Sequence, residues 1–388
     1  MNILLCTWGS ICENGIISAA KRLGHNLHVF KPQFSSPDLD KNYVLSLSEY
    51  IQKNPDTDCV LSVNFVPIVA KVCKIHRLPY LSWTVDCPSL PLYSDAISYP
   101  TNYIFLFDKI QADKFADINP GHVFHLSLAS DIDYYDKITV SQKDHSEYDC
   151  DISFIGSLYT EKCQYDKIAH KLPDYIRGYA EALVNAQQNV YGYNFIEDSI
   201  SEDWANEFKK YADWTLLPGY REDLKSIISD NYLGYKCTAE DRVNTAYNLS
   251  QYFDFHLYTL SDTSAFPGIN NKGGADTGRM MPRIFKCSKI NLNTTLRSIK
   301  VGIPQRIFDI LGCGGFVISN YQAEIPEHFT PGEDIVLYES IPDLLSKVDY
   351  YLTHEDERLA IAKSGHDKVR RYHTYDVKLA QMFEMAGL

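Results

Sequence analysis

The stretch DCVLSVNFVPIVAKVCKIHRLPYLSWT, residues 58–84, contains a strand, a helix and a second strand in sequence. The runs at 58–64 and 79–84 are short and apolar, and Ile68–His76 between them has helical spacing. Both apolar runs are continuous rather than alternating, which is typical of parallel strands whose two faces are covered by helices. The stretch therefore predicts a doubly wound α/β sheet.

The same alternation continues on both sides of this stretch. Residues 1–135 are predicted to form one Rossmann-like domain, and residues 150–370 a second one that starts with the strand CDISFI. The second domain contains a Tyr-rich helical insertion at about 160–235, and the polar segment 131–148 is the predicted linker. The tail, 371–388, is predicted to be a helix.

Composition excludes several functional classes. The 388 residues carry a net charge of −13, which argues against a nucleic-acid binder or a polybasic membrane-surface protein. No apolar run approaches the length of a membrane span, and none of the ten cysteines lies in a CxxC pair. We therefore expect a cytoplasmic protein with free, buried thiols, without an integral membrane segment or a nucleic-acid partner.

Ligands of open α/β sheets bind beyond the carboxyl ends of the strands. If the two sheets face each other, the residues that follow their strands line one central cleft. These residues are Trp8–Ser10, Asn64–Phe65, Asp86 and Asp108 in the first domain, and Gly156–Ser157, Ser261–Asp262, Asn293–Thr294, Ser319–Asn320 and Tyr338–Glu339 in the second.

The stretch VGIPQRIFDILGCGGFVIS, residues 301–319, is the most informative for chemistry. Arg306 and Asp309 are three residues apart and share a helix face, and Gly314 and Gly315 follow before a strand. Such a carboxylate can accept hydrogen bonds from ribose hydroxyls, the guanidinium can hold a diphosphate, and the glycines let main-chain N–H groups approach a ligand. The alternative is a surface ion pair followed by a glycine turn that ends the helix.

Several stretches resemble CgeB-like glycosyltransferases, the spore-maturation-protein type. They are SKINLNTTLRSIKVGIPQRIFDILGCGGFVISNY (288–321), DCVLSVNFVPIVAKVCKIHRLPYLSWTVDCP (58–88), YIFLFDK (103–109), FIGSLY (154–159) and HEDERLAIAKSGHDKVRRYHTY (354–375). The resemblance implies a GT-B fold, two Rossmann-like domains with a nucleotide-sugar held mainly by the second. It also implies that the terminal helix crosses back to the first domain.

The resemblance also implies site residues. Asp309 matches the acidic residue that binds the donor ribose, and Gly156–Ser157 matches the glycine loop near the donor phosphates. Arg306 is the candidate for the diphosphate, with Lys162 or Lys300 as a second cation. Asn293, Gly314 and Gly315 are further candidates in the donor pocket. The second acid of some relatives is replaced by Val301, which leaves the sugar contacts unassigned.

A metal-dependent transferase would show a functional Asp-x-Asp motif. The chain has four such pairs, at 38/40, 56/58, 131/133 and 149/151, about as many as its 33 aspartates produce by chance. We therefore predict no metal and no cofactor besides the nucleotide-sugar substrate; UDP is the candidate nucleotide, and the sequence leaves the donor base and sugar open.

Asp86 follows the strand LSWTV and is the predicted catalytic base for an acceptor hydroxyl, if the reaction inverts the sugar. The alternative is an Asx turn or a helix cap, and capping is the favoured role of Asp108. The expected activity is transfer of a sugar to a hydroxyl of a surface glycan or a protein, by a monomer or a homo-oligomer. A sugar-nucleotide epimerase or phosphorylase and a non-catalytic nucleotide-sugar-binding protein are the alternatives.

Overall fold

The computed structural model describes residues 1–388, which divide into two compact units. Unit 1 consists of Met1–Ala129, Leu216–Glu222 and His373–Leu388. Unit 2 consists of Ser130–Thr215 and Asp223–Tyr372.

Unit 1 is built on a parallel sheet of six strands in the order β2-β1-β3-β4-β5-β6. The strands are β1 (Asn2–Cys6), β2 (Asn26–Phe30), β3 (Cys59–Val63), β4 (Tyr80–Thr84), β5 (Asn102–Leu106) and β6 (Val123–His125). Every residue of β3 and β4 is buried, as the continuous apolar runs predict for strands covered on both faces.

The helices that cover this sheet connect its strands. They are α1 (Glu13–Arg22), α2 (Lys41–Lys53), α3 (Pro67–His76) and α4 (Lys109–Ala116). Helix α3 begins with Pro67, whose missing N–H would have no partner in the first turn, and is followed by Arg77 in the left-handed conformation. Pro67 therefore sets the start of this helix, and the left-handed Arg77 marks its end.

Unit 2 contains a parallel sheet of five strands in the order β11-β10-β9-β7-β8. The strands are β7 (Cys150–Ile155), β8 (Phe255–Tyr258), β9 (Ser288–Asn293), β10 (Val317–Asn320) and β11 (Val336–Tyr338). The predicted α/β class with two doubly wound sheets is confirmed.

Helices account for most of the remaining chain in unit 2. They are α5 (Ile132–Tyr135), α6 (Gln142–Tyr148), α7 (Gln164–Ile168), α8 (Asp174–Gln188), α9 (Ile196–Ser199), α10 (Glu202–Lys209), α11 (Leu224–Ile227), α12 (Gly234–Tyr252), α13 (Met280–Cys287), α14 (Gln305–Gly312), α15 (Ile325–His328), α16 (Ile341–Thr353) and α17 (Glu355–Tyr372). A π-helical turn, Ile228–Leu233, leads directly into α12. None of the helices combines the length and the apolar character that a bilayer crossing requires.

The Tyr-rich segment between β7 and β8 forms a helical layer from α7 to α12. This layer has a hydrophobic core of its own, to which Tyr165, Phe208 and Tyr232 contribute aromatic rings. Residues 216–222, within the predicted insertion, belong instead to unit 1. There the N–H of Asp95 donates to the carbonyl of Gly219 at 2.7 Å.

The segment 131–148, predicted to be a linker, carries α5 and α6 and belongs to unit 2. Ser141 and Asp144 form a reciprocal capping box at the start of α6, and α6 packs against α13. Side-chain caps and tertiary contacts order a stretch whose composition alone suggests a connection.

The last helix, α18 (Tyr375–Ala386), lies in unit 1 and packs on α1. Arg22 and Asp376 form a bidentate ion pair, with Nε–Oδ1 at 2.7 Å. Gly15 is required on α1, because a Cβ there would lie 2.4 Å from the ring of Tyr375. All ten cysteines are free, and Cys87 alone among them is not fully buried.

Candidate functional site

The loop after β7 is fixed by hydrogen bonds within unit 2. The N–H of Gly156 donates to the carbonyl of Tyr258 at 3.0 Å, and the Ser157 hydroxyl donates to Glu161 at 2.7 Å. A Cβ on Gly156 would lie 3.3 Å from the ring of Phe154, so glycine suits this position. These contacts order the Gly156–Ser157 loop at the carboxyl edge of the sheet.

Arg242, on α12, joins this loop to the loop after β9. Its guanidinium donates from Nη1 to the carbonyl of Ser157 and from Nη2 to the carbonyl of Thr294, both at 2.6 Å. The rings of Phe154 and Tyr159 lie 5.4 and 5.0 Å from the guanidinium carbon. Burial lowers the pKa of Arg242.

The hydrogen-bond partners of Arg242 are carbonyl oxygens rather than carboxylates, so no ion pair neutralises its positive charge at the carboxyl ends of β7 and β9. No sequence motif marks this residue. The one feature of the sequence that points to Arg242 is helical spacing, because Arg242 shares a helix face with the buried side chains of Thr238, Thr245 and Leu249. An arginine on a buried face indicates a role within the fold or at a site.

Asn293 is predicted to contact a ligand, but its side chain is only 3% exposed. Its amide donates to the hydroxyls of Thr295 at 3.0 Å and Ser319 at 2.9 Å. The N–H of Thr295 donates in turn to the side-chain oxygen of Asn320 at 2.7 Å. Asn293 thus ties together the ends of β9 and β10.

A buried ion pair anchors the loop 294–300 to the helical layer. Arg297 and Asp241 are 6% and 5% exposed, and Nη2 lies 3.0 Å from Oδ2. A second Arg297 nitrogen, Nη1, donates to the carbonyl of Val190 at 2.9 Å, and the guanidinium stacks 4.1 Å above the ring of Tyr191. The conformation of this loop therefore depends on the Tyr-rich segment.

The two lysines expected near a diphosphate have different surroundings. Lys300 is 12% exposed and lies between Asp230 and Glu197, with its Nζ 2.9 and 3.1 Å from their carboxylate oxygens. Although burial lowers its pKa, these two carboxylates hold that pKa above its ordinary value. Lys162 is exposed, with its Nζ 4.6 Å above the ring of Tyr159. Of the two, Lys162 has the more accessible ammonium group.

Asp309 lies in the middle of α14 and is 4% exposed. Its Oδ1 accepts from the hydroxyl of Tyr135 at 3.1 Å and from the amide of Gln305 at 2.9 Å. Burial raises the pKa of Asp309, and Arg306, Gln305 and Tyr135 oppose that shift. Two neutral donors and one cation thus hold a buried carboxyl group.

Arg306 and Asp309 form a long ion pair on α14, with Arg306 Nη1 3.7 Å from Asp309 Oδ2. The same nitrogen contacts the sulfur of Met281, and the guanidinium lies over the ring of Phe285 at 5.5 Å. About a quarter of its side chain (24%) is exposed, so Arg306 is the more accessible member of the pair.

The glycines Gly314 and Gly315 follow α14 and precede β10. Their N–H groups donate to the carbonyls of Leu311 and Ile310, both at 3.0 Å. Gly314 has a φ of +77°, which favours glycine, and a Cβ on Gly315 would lie 2.8 Å from Asn291. This is the helix-ending turn that the sequence also allowed.

Strand direction separates the two glycine loops. Since β7, β9 and β10 are parallel, Gly156–Ser157 lies at their carboxyl edge, whereas Gly314 and Gly315 lie at their amino edge. The structure therefore does not bring these two predicted donor loops together.

The carboxyl edge of the unit 1 sheet carries a pair of side chains on adjacent strands. Asn64 follows β3 with a φ of 61°, and its amide donates to Asp86 Oδ2 at 2.6 Å. Asn64 Oδ1 also accepts from the N–H of Val85 at 2.9 Å. Asp86 itself is exposed, and the N-cap position of the 3₁₀ helix that follows is occupied by Ser89 rather than by Asp86. Asp86 is thus oriented by Asn64 and open to solvent.

Other predicted positions in unit 1 have structural roles. The Asp108 carboxylate accepts from the N–H of Gln111 at 3.0 Å, which confirms it as the cap of α4. Trp83 is 1% exposed and belongs to the core. Trp8 is 36% exposed, and its loop is held by the carboxylate of Glu13, which accepts from the N–H groups of Trp8, Gly9 and Ser10.

Residues 243–384 match a family described as glycosyl transferase-like. A comparison with curated proteins found no match. Many solved structures resemble this chain at low sequence identity, which shows similarity of fold. Three of those that resemble the whole chain illustrate this.

The HepE protein of Anabaena in complex with UDP-glucose is 10% identical, with a TM-score of 0.57 over 100% of this chain and 99% of that chain. A glycosyltransferase of Rickettsia africae is 12% identical, with a TM-score of 0.54 over 99% and 98%. The sucrose-phosphate synthase of Thermosynechococcus elongatus is 10% identical, with a TM-score of 0.54 over 100% and 98%. The chain therefore has the GT-B fold, and its residues 243–384 match a glycosyl transferase-like family.

Proposed function

We propose that this protein is a glycosyltransferase of the CgeB-like type, which moves a sugar from a nucleoside-diphosphate sugar to a hydroxyl group of a glycan or protein acceptor. The observation that carries this proposal is Arg242, a half-buried cation bonded to two carbonyls at the carboxyl edge of the unit 2 sheet. A positive charge without a carboxylate partner, at the edge where α/β proteins bind ligands, suits an anionic diphosphate.

The chemistry that such a cation serves is departure of the nucleoside diphosphate. Negative charge grows on the leaving phosphate as the bond to the sugar breaks. A fixed cation in a water-poor site stabilises that charge without reorganisation, which is often the largest part of the catalytic effect. Arg242 supplies the fixed charge, and the partly exposed Arg306 and the exposed Lys162 are the candidates for direct contact with the phosphates.

Asp309 is the proposed ribose ligand. The groups that now donate to it, Tyr135 and Gln305, keep its oxygens oriented. Two ribose hydroxyls would replace part of these bonds when nucleotide binds. Gly314 and Gly315 are left out of the proposed site because their N–H groups cap α14.

The similarity to HepE, whose structure contains UDP-glucose, favours UDP as the nucleotide. Asp86 is the proposed base for the acceptor hydroxyl, because it is exposed and oriented by Asn64. The reaction is proposed to proceed without a metal, with cationic side chains in its place.

The test is calorimetry with UDP, GDP, ADP and dTDP on the full chain. We expect UDP to bind most tightly and Arg242→Ala to weaken its binding about 10- to 100-fold, the loss of one charged hydrogen-bonding group. The control is Arg177→Ala, which removes an exposed arginine of α8 paired with Asp174.

Arg242→Lys separates charge from geometry, because it keeps the cation and loses the bridge between the two carbonyls. It should bind UDP with intermediate affinity. If no nucleoside diphosphate binds the folded protein, the donor site is wrong. If UDP binds but no donor sugar is transferred or released across a panel of acceptors, the chain is a nucleotide-sugar-binding protein without turnover.

A further inference from the structure

Three side chains that can bind a metal lie together at the amino edge of the unit 2 sheet. In the pairing of β7 with β9, Cys150 lies opposite Ser288. The residues immediately before these two, Asp149 and Cys287, are therefore neighbours at that edge. Asp149 is the C-cap of α6, and His145 lies within the helix four residues earlier. The imidazole of His145 is therefore one helical turn from Asp149, on the same side of the helix.

The three ligand atoms are close enough to converge on one ion. His145 Nδ1 lies 2.8 Å from Asp149 Oδ1, and the nitrogen, oxygen and sulfur all lie within 4.8 Å of one another. Tetrahedral zinc places such ligand atoms about 3.3–3.6 Å apart. His145 and Asp149 are exposed and free to rotate by that amount, while the buried Cys287 is the fixed point.

A cavity of about 420 Å³ adjoins the cluster, and all three residues line it. It is open to solvent, which gives an ion a path of entry and leaves room for a water molecule as the fourth ligand. The nearby cations have partners of their own: Lys289 pairs with Asp151 at 2.8 Å, and Lys286 donates to two main-chain carbonyls. They do not neutralise Asp149.

We propose that His145, Asp149 and Cys287 form a binding site for zinc. A set of one nitrogen, one oxygen and one sulfur ligand suits zinc, whereas magnesium and calcium require oxygen ligands. On binding, the metal takes the place of the proton between His145 Nδ1 and Asp149 Oδ1; a neutral imidazole then carries its one proton on Nε2, any second proton is released to solvent, and the thiol of Cys287 also releases its proton to solvent.

The proposed ion would connect α6 to α13. It lies at the amino edge of the sheet, opposite the edge that carries Arg242, so its role is structural rather than catalytic. Asp149 belongs to one of the four Asp-x-Asp pairs, but its partners in this site are His145 and Cys287. The inference is independent of glycosyl transfer.

The experiment uses the full chain, stripped of metal with a chelator, and titrates Co²⁺ and Zn²⁺. We expect one equivalent of Co²⁺ to give tetrahedral visible bands and a thiolate-to-cobalt charge-transfer band. Cys287→Ser should abolish the charge-transfer band, and Cys87→Ser, which removes the least buried of the other thiols, should retain it. His145→Ala and Asp149→Asn should each weaken Zn²⁺ binding at least about tenfold, measured by competition with a chromophoric chelator.

Three results would overturn the proposal: no metal-dependent absorption in the unaltered chain, a charge-transfer band that survives Cys287→Ser, or Zn²⁺ affinity unchanged by His145→Ala and Asp149→Asn. His145 and Asp149 are exposed, so their variants should fold even if Cys287→Ser does not. Zn²⁺ titration of these two variants therefore tests the site even without Cys287→Ser.

Discussion

The carboxyl edges of the two sheets hold their charged side chains in different ways. In unit 2, Arg242 is half-buried and bonded to two carbonyls, and Arg297 is buried in an ion pair with Asp241, before any ligand is present. In unit 1, Asp86 is exposed and oriented by one neighbouring amide. One edge is built from buried charges that can be moved only at high cost, and the other from a carboxylate that solvent reaches freely.

This difference fits a division of roles within the proposed reaction. A fixed charge stabilises a developing anion best when it cannot reorganise, which favours burial at the donor edge. A base must exchange protons with its substrate and with solvent, which favours exposure. The free energy of unfolding should therefore depend strongly on the buried ion pair of unit 2 and weakly on Asp86.

The largest effect is expected for Asp241→Ala, which leaves Arg297 buried without its carboxylate. Breaking one partner of such a pair costs about 3–5 kcal/mol of unfolding free energy, measured by chemical denaturation. Glu207→Ala, which breaks an exposed pair with Lys210, is the control and should cost about 1 kcal/mol or less.

Asp241→Ala combined with Arg297→Met should recover part of the loss, because no unpaired charge then remains buried. If Asp241→Ala lowered the free energy of unfolding no more than Glu207→Ala does, the Arg297–Asp241 pair would not stabilise unit 2 as proposed.

The sheets were predictable from sequence because their strands are buried on both faces. Cys150–Ile155 was predicted and is confirmed as β7, and the runs at 58–64 and 79–84 contain β3 and β4. Continuous apolar runs carry this information locally. The helix α6 was missed although Ser141 and Asp144 match a capping box, because polar composition outweighed that short signal.

The site was less predictable because its geometry depends on contacts far apart in sequence. Arg242 meets Ser157 and Thr294 across 85 and 52 residues, and no local pattern gives those distances. Gly314 and Gly315 show the opposite problem: a glycine pair fits a ligand loop and a helix cap equally well. Only the direction of β10 shows which edge of the sheet the pair occupies.

The next largest effect is expected where α1 packs on α18 in unit 1, in contrast to the exposed position of Asp86. Gly15→Ala places a methyl group 2.4 Å from the ring of Tyr375, which is itself packed against Trp83. Such overpacking should cost about 1–3 kcal/mol. Gly178→Ala is the matched control on the exposed face of α8, where nothing lies within 4 Å, and should stabilise by about 0.5–1 kcal/mol.

If Gly15→Ala were as stable as the original chain, α18 would be less closely docked on α1 than the structure shows. The comparison of the two glycines removes the helix propensity of alanine from the result, because both positions are helical.

A smaller effect, with a pH dependence, is expected for Asp309→Asn. Burial raises the pKa of Asp309 above its ordinary value, so its contribution to stability is greatest in acid and falls as the pH rises through the raised pKa. Asparagine removes this cost and keeps an oxygen for Tyr135 and Gln305. The variant should be more stable than the original chain at neutral pH, and the advantage should shrink in acid.

Denaturation curves of both proteins across this pH range provide the measurement, and UDP calorimetry on the same samples tests the proposed ribose role. A stability difference that does not vary with pH would show that ionisation of Asp309 is not costly in the fold. If Asp309→Asn is more stable than the original chain and binds UDP more weakly, both the cost of ionised Asp309 in the fold and its proposed contact with the ribose are supported.

The smallest effect on stability is expected for Asp86→Asn, which is also the sharpest test of the contrast. Asp86 is exposed, so the change in unfolding free energy should stay within about 0.5 kcal/mol, and UDP affinity should be unaltered. Sugar transfer should fall about 10²- to 10⁴-fold, the usual contribution of a general base. Asp113→Asn, at an exposed position of α4, is the control and should leave all three quantities unchanged. Transfer at the original rate would exclude Asp86 as the base, whereas a loss of UDP affinity would mean that the open edge of unit 1 takes part in holding the donor.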